Sequence, residues 1–462
     1  VWDWINQGIK RETDQGEVYF DYGSSPFCAN GILNSDRTPQ PVIWQIKKSW
    51  QPVELVPVDL KNGIVRVNNQ YNFTNLDALD IRWQLVAEGR VLQSGTLDLT
   101  LPPGNSQTLP IPFEEFQPAP GAEYWLNVDC MLSKNEIWAG KGHIVAWEQF
   151  KLALDNQPAN AVVVTNMKPL NLKQEEEYAI IEGKDFTYTF SKMEGLTSMN
   201  YLGKEIIHAG PEPDFWAKIL GNWSNKQPPE VWREARLDSL INQVQDVSVI
   251  QESDRHIRVK VSRETSTGNE GRFHCEYVYH VFGNGDVLMD VKVVPNENLP
   301  ENLPKVGMNI KLPEDYDQFS WYGRGPVETY PLRKTATKVG VYSSTVKSQY
   351  YPFIVPQEHG NKTDTRWVTL TDRNGNGLMV SGMPTINVSV SRFSSKNIAR
   401  ADRTYKLKPA GHVILDLDHD ISGTDARYYR VKTKNYQYSL FLRPFSVSAD
   451  SPFKLHNRRI QY

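Results

Sequence analysis

The chain has 462 residues, of which 39% are hydrophobic and 23% charged, a composition typical of a globular protein with room for about three domains. Its formal net charge of −3 gives no electrostatic basis for binding nucleic acid or an anionic membrane. No apolar run reaches the roughly 20 residues that a membrane span needs. The cysteines, Cys28, Cys130 and Cys275, are odd in number and far apart, which fits neither a disulfide framework nor a metal site.

Residues 1–48 differ from the rest of the chain. Val1–Gln7 is an aromatic-rich segment without an initiator Met or a signal peptide, and it is typical of the end of a buried strand. Thr38–Pro39 predicts a helix start, and Ile43 and Ile46 recur behind it at helical spacing. A strand end, a loop of about 30 residues and one helix cannot enclose a core. We therefore expect these residues to belong to the edge of a larger unit.

Alternation of apolar and polar residues dominates from about Gln51 to Leu152. Ile64–Val67, Ile81–Leu85 and Val91–Leu97 each show a period of two, which predicts half-buried strands. About seven short strands in roughly 100 residues favour an immunoglobulin-like sandwich. We assign residues 49–152 to this domain.

Residues 153–175 are predicted to be a linker, and residues 176–462 form a second β-region. His256–Val261 alternates with a period of two, and Phe282–Val287 contains a strong hairpin turn with two glycines. So much strand sequence without a helical interruption predicts one large, many-stranded sandwich.

The 13 Trp and 21 Tyr residues admit two interpretations. One is simply the packing of large β-sandwich cores. The other adds carbohydrate binding, because aromatic rings stack on the apolar faces of sugars while polar neighbours bind the hydroxyls.

Few carboxylates stand in a pattern that indicates catalysis. Glu328 and Glu358 lie in turn-like segments, where each either faces a sugar or makes ordinary turn hydrogen bonds. The alternating acids of Asp416–Asp420 either hold a hard cation or are solvated at a strand end. No Ser-His-Asp order and no glycine-rich phosphate loop stands out.

A tryptophan and a carboxamide near the amino terminus are more suggestive. Trp2 falls at the carboxyl end of a predicted barrel strand, where barrel enzymes place their chemistry. Phe27 and Asn30 lie in the loop that follows. A Trp platform and an amide oxygen in one such loop predict a sugar or ion site.

At these residues the sequence resembles the C-terminal half of the large, five-domain β-galactosidases of glycoside hydrolase family 2. The resemblance runs from end to end with the motifs in order. It is carried by five segments: Trp2–Gln7, Phe27–Gly31, Asp36–Pro41, Tyr322–Pro331 and Val355–Gly360.

The resemblance implies a mostly β fold in three parts. Residues 1–48 would be the last strand, loop and helix of a (β/α)₈ barrel, and residues 49–152 the immunoglobulin-like sandwich. After the linker 153–175, residues 176–462 would form a large β-supersandwich like that of galactose mutarotases.

The resemblance also implies the site. Trp2 would line the galactose pocket, Phe27 would form a mobile wall and offer its carbonyl to Na⁺, and Asn30 would ligate that ion. Mg²⁺ would be held through residues outside this chain. Both catalytic Glu residues of this retaining mechanism would lie upstream, so no residue of the chain is predicted to be catalytic and the chain alone should not cleave β-galactosides.

Two segments depart from the family pattern. Phe215–Trp223 lacks the acidic end of the family's Phe-Trp-Arg-Ala-Pro-Thr-Asp-Asn-Asp motif, and Ile421–Tyr429 lacks an expected Trp of the pocket wall. The exact galactoside, whether lactose-like or part of a larger glycan, therefore stays open.

Two other functions remain as alternatives. A freestanding carbohydrate-binding protein would bind sugar through residues 176–462 alone. A mutarotase-like epimerase would need a His and a carboxylate facing each other, for which Glu358 with His359 and His419 with Asp420 are the candidates. The expected partners are a β-galactoside and the N-terminal part of the enzyme, not nucleic acid or a membrane. Homo-oligomerisation is left open, as is the compartment, cytoplasm or periplasm of a bacterium.

Overall fold

The computed structural model describes residues 9–13, 16–20, 32–34, 36–154, 159, 161–219, 228–353, 355–423 and 429–462. Strands dominate these residues, and helices are few and short, which confirms the predicted mostly β class. No helix within the described part of the chain combines the length and the apolar character required to cross a bilayer.

The described residues before the first sandwich contain one hairpin and one helix. Strands β1 (Ile9–Thr13) and β2 (Gly16–Phe20) pair antiparallel, so the long loop expected here was wrong in this part. Helix α1 (Ile43–Ser49) begins after Val42, without a side-chain cap. The helix start expected at Thr38 was also wrong, because its hydroxyl donates to Asp36 at 2.6 Å inside a turn.

Seven strands follow in two antiparallel sheets, as the alternation predicts. One sheet has the order β3-β4-β7 and the other β6-β5-β8-β9. Their inward residues form one core that includes the buried Val65, Ile81, Trp83, Leu126 and Val128. The seven strands are β3 (Val53–Asp59), β4 (Ile64–Asn69), β5 (Leu79–Ala87), β6 (Arg90–Leu97), β7 (Ser106–Pro110), β8 (Tyr124–Leu132) and β9 (Ile144–Lys151).

The segment predicted as a linker carries two short strands. Strand β10 (Ala161–Val163) pairs parallel with the last strand of the chain, and β11 (Asn171–Gln174) opens the smaller sheet of the second sandwich. That sheet has the order β11-β12-β13-β14-β15. Its other strands are β12 (Tyr178–Glu182), β13 (Phe186–Ser191), β14 (Gly195–Tyr201) and β15 (Lys204–Glu205).

A 12-stranded sheet forms the body of the second sandwich. Its main path is β16-β22-β27-β26-β29-β20-β19-β18-β17, and β25, β23 and β24 extend it from β26. Strands β21 and β28 pair separately. The remaining strands are β16 (Ala209–Asp214), β17 (Ile241–Ser253), β18 (His256–Ser266), β19 (Arg272–Phe282), β20 (Val287–Pro295), β21 (Asn302–Leu303), β22 (Lys305–Leu312), β23 (Gln318–Gly325), β24 (Lys338–Thr345), β25 (Lys362–Thr371), β26 (Asn376–Ser391), β27 (Val413–Ile421), β28 (Val431–Lys432), β29 (Tyr436–Ser446) and β30 (Arg459–Gln461).

Helical elements in the second sandwich are short. The predicted hairpin turn between β19 and β20 is confirmed, and Gly285 adopts a φ of 85° there, which favours glycine. The helices are α2 (Pro228–Glu234), α3 (Ser395–Arg400) and α4 (Pro452–Asn457). The 3₁₀ turns of the described chain are Leu60–Asn62, Leu76–Ala78, Val164–Asn166, Leu237–Ser239, Lys347–Gln349 and Thr404–Lys406.

Antiparallel pairing of β22 with β27 sets the two faces of the sheet. Met308 lies opposite Leu417, and both are buried in the main core. Because successive side chains of a strand point to opposite faces, Lys305, Asp416 and Asp418 fall on the other face. That face is also buried, so the pairing brings ionisable groups together out of water.

The two sandwiches contact each other through aromatic side chains. The Trp125 indole Nε1 donates to the Tyr322 hydroxyl at 3.1 Å, and Trp367 belongs to the same cluster. Residues 447–462, which we call the C-terminal strap, add Phe453 and Leu455 to it. The strap therefore packs where the two sandwiches meet.

Candidate functional site

The residues predicted to bind sugar and Na⁺, Trp2, Phe27 and Asn30, lie outside the described residues. So does Cys28, whereas Cys130 and Cys275 are buried free thiols. The described residues nearest to Asn30 in the sequence are those of segment 32–41. Their contacts show which part of the second sandwich this segment lies against.

Segment 32–41 lies against a loop of the second sandwich. The Asn34 amide Nδ2 donates to the Tyr351 hydroxyl at 2.6 Å, and that hydroxyl lies 3.4 Å from the Pro39 carbonyl oxygen, to which it donates. Asn34 also donates to Thr38 at 2.9 Å, which fixes the turn. We call the Asn34–Tyr351–Pro39 set the rim contact.

Helix α1 makes a second contact with the same sandwich. Its Gln45 side chain accepts from the Ala336 backbone N–H at 3.3 Å and donates to the Thr335 hydroxyl at 2.8 Å. Lys48 of the helix is buried against the first sandwich and pairs with Glu148. Residues 32–49 are therefore attached to both sandwiches.

The segments around Glu328 and Glu358, which carry the resemblance in the second sandwich, are joined to each other by hydrogen bonds. Glu328 Oε2 accepts from the Gly360 backbone N–H at 2.8 Å, and the backbone N–H of Thr329 donates to the Asn361 carbonyl at 2.7 Å. The Asn361 side chain returns a bond to the Thr329 carbonyl at 2.8 Å. The two motifs thus form one hydrogen-bonded unit.

Both oxygens of Glu328 are engaged. Besides Gly360, the carboxylate accepts from the Arg333 guanidinium at 2.6 Å, and its side chain is only 5% exposed. A buried carboxylate with both oxygens bonded inside the fold is not free to contact a substrate. Of the two roles left open by the sequence, Glu328 has the structural one.

A buried lysine lies within ion-pair distance of three carboxylates on the face of the 12-stranded sheet that is opposite to the main core. Lys305 Nζ lies 3.0 Å from Asp214 Oδ2, 3.3 Å from Asp416 Oδ1 and 3.2 Å from Asp418 Oδ1. Its side chain is 2% exposed. These carboxylates come from β16 and β27, on either side of β22, so sheet pairing alone brings them to the lysine. Ser389 of β26 lies 3.4 Å from Asp416 Oδ2 and donates to it.

The cluster holds more negative than positive charge. Burial and the neighbouring carboxylates raise the pKa of Asp418 to about 8 and also raise the pKa of Asp416. Burial, with the same acids, raises the pKa of Glu358, which lies beside them. The three acids around Lys305 outweigh its burial and raise its pKa. One lysine cannot neutralise all these carboxylates in a low dielectric, so the cluster retains protons at neutral pH.

This cluster corrects the interpretation of Asp416–Asp420. Asp416 and Asp418 are buried around Lys305, so they are not solvated at a strand end. In the described part of the chain, no group of three or more His, Cys, Asp or Glu side chains has an arrangement that could hold a metal ion. The sequence could not show the lysine, which lies 111 residues before Asp416.

Neither His–carboxylate pair of the epimerase alternative is arranged to act together. His359 is buried, and its Nδ1 is 2.9 Å from the Gln357 carbonyl. His419 stacks on Tyr438 with ring centroids 4.7 Å apart, while Asp420 accepts from the Tyr429 hydroxyl at 2.8 Å. Adjacent strand residues point to opposite faces, and these contacts follow that rule for His419 and Asp420.

Comparison with known families gives two matches. The family "Beta galactosidase small chain" matches residues 182–446, which is more than half of the chain. The family "Beta-galactosidase, domain 4" matches residues 65–153, which contain most of the first sandwich.

Curated relatives named β-galactosidase match nearly the whole chain. The protein of Priestia megaterium is 31% identical over 96% of this chain and 44% of its own length. That of Halalkalibacterium halodurans is 29% identical over 90% of this chain and 41% of its own length. The chain thus spans less than half the length of these relatives.

Two of the solved structures that match this chain are sugar epimerases. A galactose 1-epimerase from Lactobacillus acidophilus has a TM-score of 0.30 at 10% identity and covers 60% of this chain and 99% of its own. A GalM/aldose epimerase homologue from C. elegans has a TM-score of 0.34 at 7% identity, covering 61% and 99%. Likenesses this distant add nothing to the assignment.

The two family matches follow the order of the two sandwiches along the chain, and the relatives extend the match to the amino-terminal segment. The chain belongs to the β-galactosidase small-chain family and corresponds to the C-terminal part of a β-galactosidase.

Proposed function

We propose that this chain supplies part of the substrate-pocket rim and the non-catalytic β-domains of an enzyme that hydrolyses terminal β-D-galactosides with retention. The acid/base Glu and the nucleophilic Glu would both be provided by the part of the enzyme that, in the relatives, lies upstream of the segment matching this chain. A retaining mechanism needs two such carboxylates about 5 Å apart. This chain would position sugar without cleaving it.

The rim contact is the observation that carries this proposal. It attaches the turn after Phe27 and Asn30 to Tyr351, four residues before the signature segment Val355–Gly360. The second sandwich therefore reaches the edge of the segment that would line the galactose pocket. Tyr351 precedes the hydrogen-bonded unit of the two motifs by a few residues in the chain, so this unit would help to hold that edge in place.

Within the pocket, Trp2 would stack on the sugar and Phe27 would close one side. The Phe27 carbonyl and the Asn30 carboxamide are neutral oxygen donors, which suit a hard monovalent cation such as Na⁺. That ion, when bound, would offer its charge to a sugar hydroxyl. Mg²⁺ would be held by residues outside this chain.

The acids in the described residues support the assignment of catalysis to another part of the enzyme. Glu328 is bound to Arg333 and Gly360, and the aspartates of β27 surround Lys305. Each of these groups is committed to a partner in the fold. None of them is placed to attack or protonate a glycosidic bond in solvent.

An aromatic surface supports the expected partner, the N-terminal part of the enzyme. Trp44 and Trp50 on and after α1 are 40% and 80% exposed, and Trp138 is 64% exposed. Trp138 packs on His143, which lies 3.1 Å from Lys47 of the helix, so Trp138 lies beside α1. Exposed aromatic groups of this size mark an interaction site.

A chimera tests the proposal. The part of the Priestia megaterium β-galactosidase that does not align with this chain would be fused to this chain. We expect the folded chimera to hydrolyse a chromogenic β-galactoside, and Trp2→Ala and Asn30→Ala each to lower kcat/KM roughly 10- to 100-fold, the scale of a misplaced substrate.

Phe73→Ala, which changes a 95% exposed aromatic residue that belongs neither to the proposed pocket nor to the tryptophan surface, is the matched control and should leave kcat/KM within about twofold. Circular dichroism and size-exclusion chromatography would establish folding. Unchanged turnover in both pocket variants would contradict the roles of Trp2 and Asn30, and a folded chimera without turnover would contradict the proposal itself.

A further inference from the structure

A cleft of about 930 Å³ lies between the two sandwiches and the C-terminal strap. Its size falls in the range of ligand pockets, which occur preferentially between domains. The first sandwich contributes Glu123 and Lys151, the second Arg366 and Ser381, and the strap His456 and Arg459. The strap lies beyond the match to the small-chain family, which ends at residue 446.

The charge lining the cleft is positive. Its basic residues are Lys151, Arg366, Arg458 and Arg459, whereas Glu88 and Glu123 are its carboxylates. Arg458 is paired with Asp286 and Asp450 outside the lining, so three basic residues remain against the two carboxylates. In a cleft with low-dielectric walls, an excess of one sign attracts ligands of the opposite sign.

The acceptor capacity of the cleft is already used. Glu123 accepts from the Arg366 Nε at 2.8 Å, from the Tyr322 hydroxyl at 3.3 Å and also from Lys151. Glu88 accepts from the Asn457 side chain at 3.2 Å. Arg459 has no carboxylate within ion-pair distance among residues 36–154, 161–219, 228–353, 355–423 and 429–462. Little acceptor capacity thus remains for a ligand's own donors.

Two nitrogens at or behind the cleft lining have no partner among the described residues. Arg443 is fully buried behind the lining, where its Nε lies 3.2 Å from Asp286 Oδ1 and its Nη1 donates to the cleft-lining Ser381 at 3.2 Å, whereas its Nη2 is unpartnered in the described part of the chain. His456 Nδ1, at the lining itself, also has no partner among these residues. Burial and nearby Arg443 lower the pKa of His456 to about 4, so its ring is neutral at pH 7. An unpartnered buried polar atom indicates a missing partner such as an ion or water.

We propose that this cleft is a binding site for a small anion, a carboxylate- or phosphate-bearing molecule of about monosaccharide size. The anionic group would be attracted by Lys151 and Arg459 at the walls and would accept from the Ser381 hydroxyl. None of the residues of the rim contact lines this cleft. It is formed only when the strap, the first sandwich and the second sandwich are in contact.

Isothermal titration of the full chain would test the site with three probes: D-galacturonate, inorganic phosphate and neutral D-galactose. We expect at least one anion to bind with a Kd of about 1 mM or tighter, and galactose to bind at least about 10-fold more weakly. Comparison of galacturonate with phosphate identifies which anionic group the cleft prefers. Raising NaCl from about 50 to 300 mM should weaken the anion severalfold, because salt screens the basic walls.

The double variant Lys151→Gln/Arg459→Gln should weaken the anion at least about fivefold while keeping the thermal midpoint within a few degrees. The matched control, Lys134→Gln/Lys184→Gln, removes two exposed lysines outside the cleft and should have no effect. No binding of either anion, equal binding of galactose, or binding that the double variant leaves unchanged would overturn the proposal.

Discussion

Replacement of Lys305 by Met is expected to lower the free energy of unfolding by about 3–5 kcal/mol, the usual cost of removing one partner from a buried ion pair. Lys305 is the cation within ion-pair distance of Asp214, Asp416 and Asp418. Its loss would leave the negative charge of this buried acidic cluster without a counter-charge. Urea unfolding at pH 7, followed by intrinsic tryptophan fluorescence, would measure the change in midpoint.

The matched control is Lys311→Met on the same strand and the same face. Lys311 pairs with Glu212 at 3.2 Å, but both side chains are about one third exposed. Exposed pairs contribute about 0–1 kcal/mol, so this variant should unfold close to the parent chain. If Lys305→Met fails to fold at pH 7, it should recover at pH 5, where the carboxylates take up protons. Equal effects of the two changes would contradict this account of the cluster.

The cluster should also make stability depend on pH. Burial raises the pKa of Asp418 to about 8 in the folded chain, against an ordinary value of 3.8. Between these values the folded state binds a proton that the unfolded state has released, so stability falls as pH rises from about 4 to 8. Asp418→Asn removes this titration. We expect the Asn variant to gain several kcal/mol relative to the parent between pH 4 and pH 8, since each pKa unit corresponds to about 1.4 kcal/mol.

Thermal and urea unfolding at pH 5, 6, 7 and 8 would follow the difference between the two chains. Asp315→Asn serves as the control, because Asp315 is 60% exposed, and its effect should not grow across this range. A difference between Asp418→Asn and the parent that stays constant with pH, or that shrinks as pH rises, would show that the carboxylate is not protonated in the folded chain.

The strands were predictable from the sequence because the pattern that forms them is local. Ile64–Val67 and Ile81–Leu85 alternate, and the structure has strands there with the apolar residues inside. Gly285 supplies the left-handed conformation that its hairpin turn requires. Sandwich strands and tight turns are short-range features, so a period of two and a turn motif suffice to find them.

Features that depend on distant residues could not be predicted. Thr38 and Pro39 have the residue types of a helix start. In the structure, however, the Thr38 hydroxyl is hydrogen-bonded to Asn34 and Asp36 inside a turn, so it does not cap a helix. The aspartates of β27 can form ion pairs with Lys305 only because β27 pairs with β22 in the sheet. Glu328 is fixed by Gly360, 32 residues away. The spacing of these residues in the sequence does not indicate that they contact one another.

The pocket residues Trp2, Phe27 and Asn30 were proposed from a resemblance to β-galactosidases, since their spacing alone indicated no more than a sugar or ion site. The membership of the chain in the small-chain family supports that resemblance, and the rim contact places the neighbouring turn against the second sandwich. Their individual roles remain predictions for the chimera to test.

Hydrolysis of a chromogenic β-galactoside by the purified 462-residue chain, without any other part of the enzyme, tests the central claim most directly. We predict a rate equal to the uncatalysed reaction, because the nucleophile and the proton donor would reside elsewhere. Turnover that copurifies with the chain and is abolished by Glu358→Gln would show that these residues contain their own catalytic acid and would contradict the account.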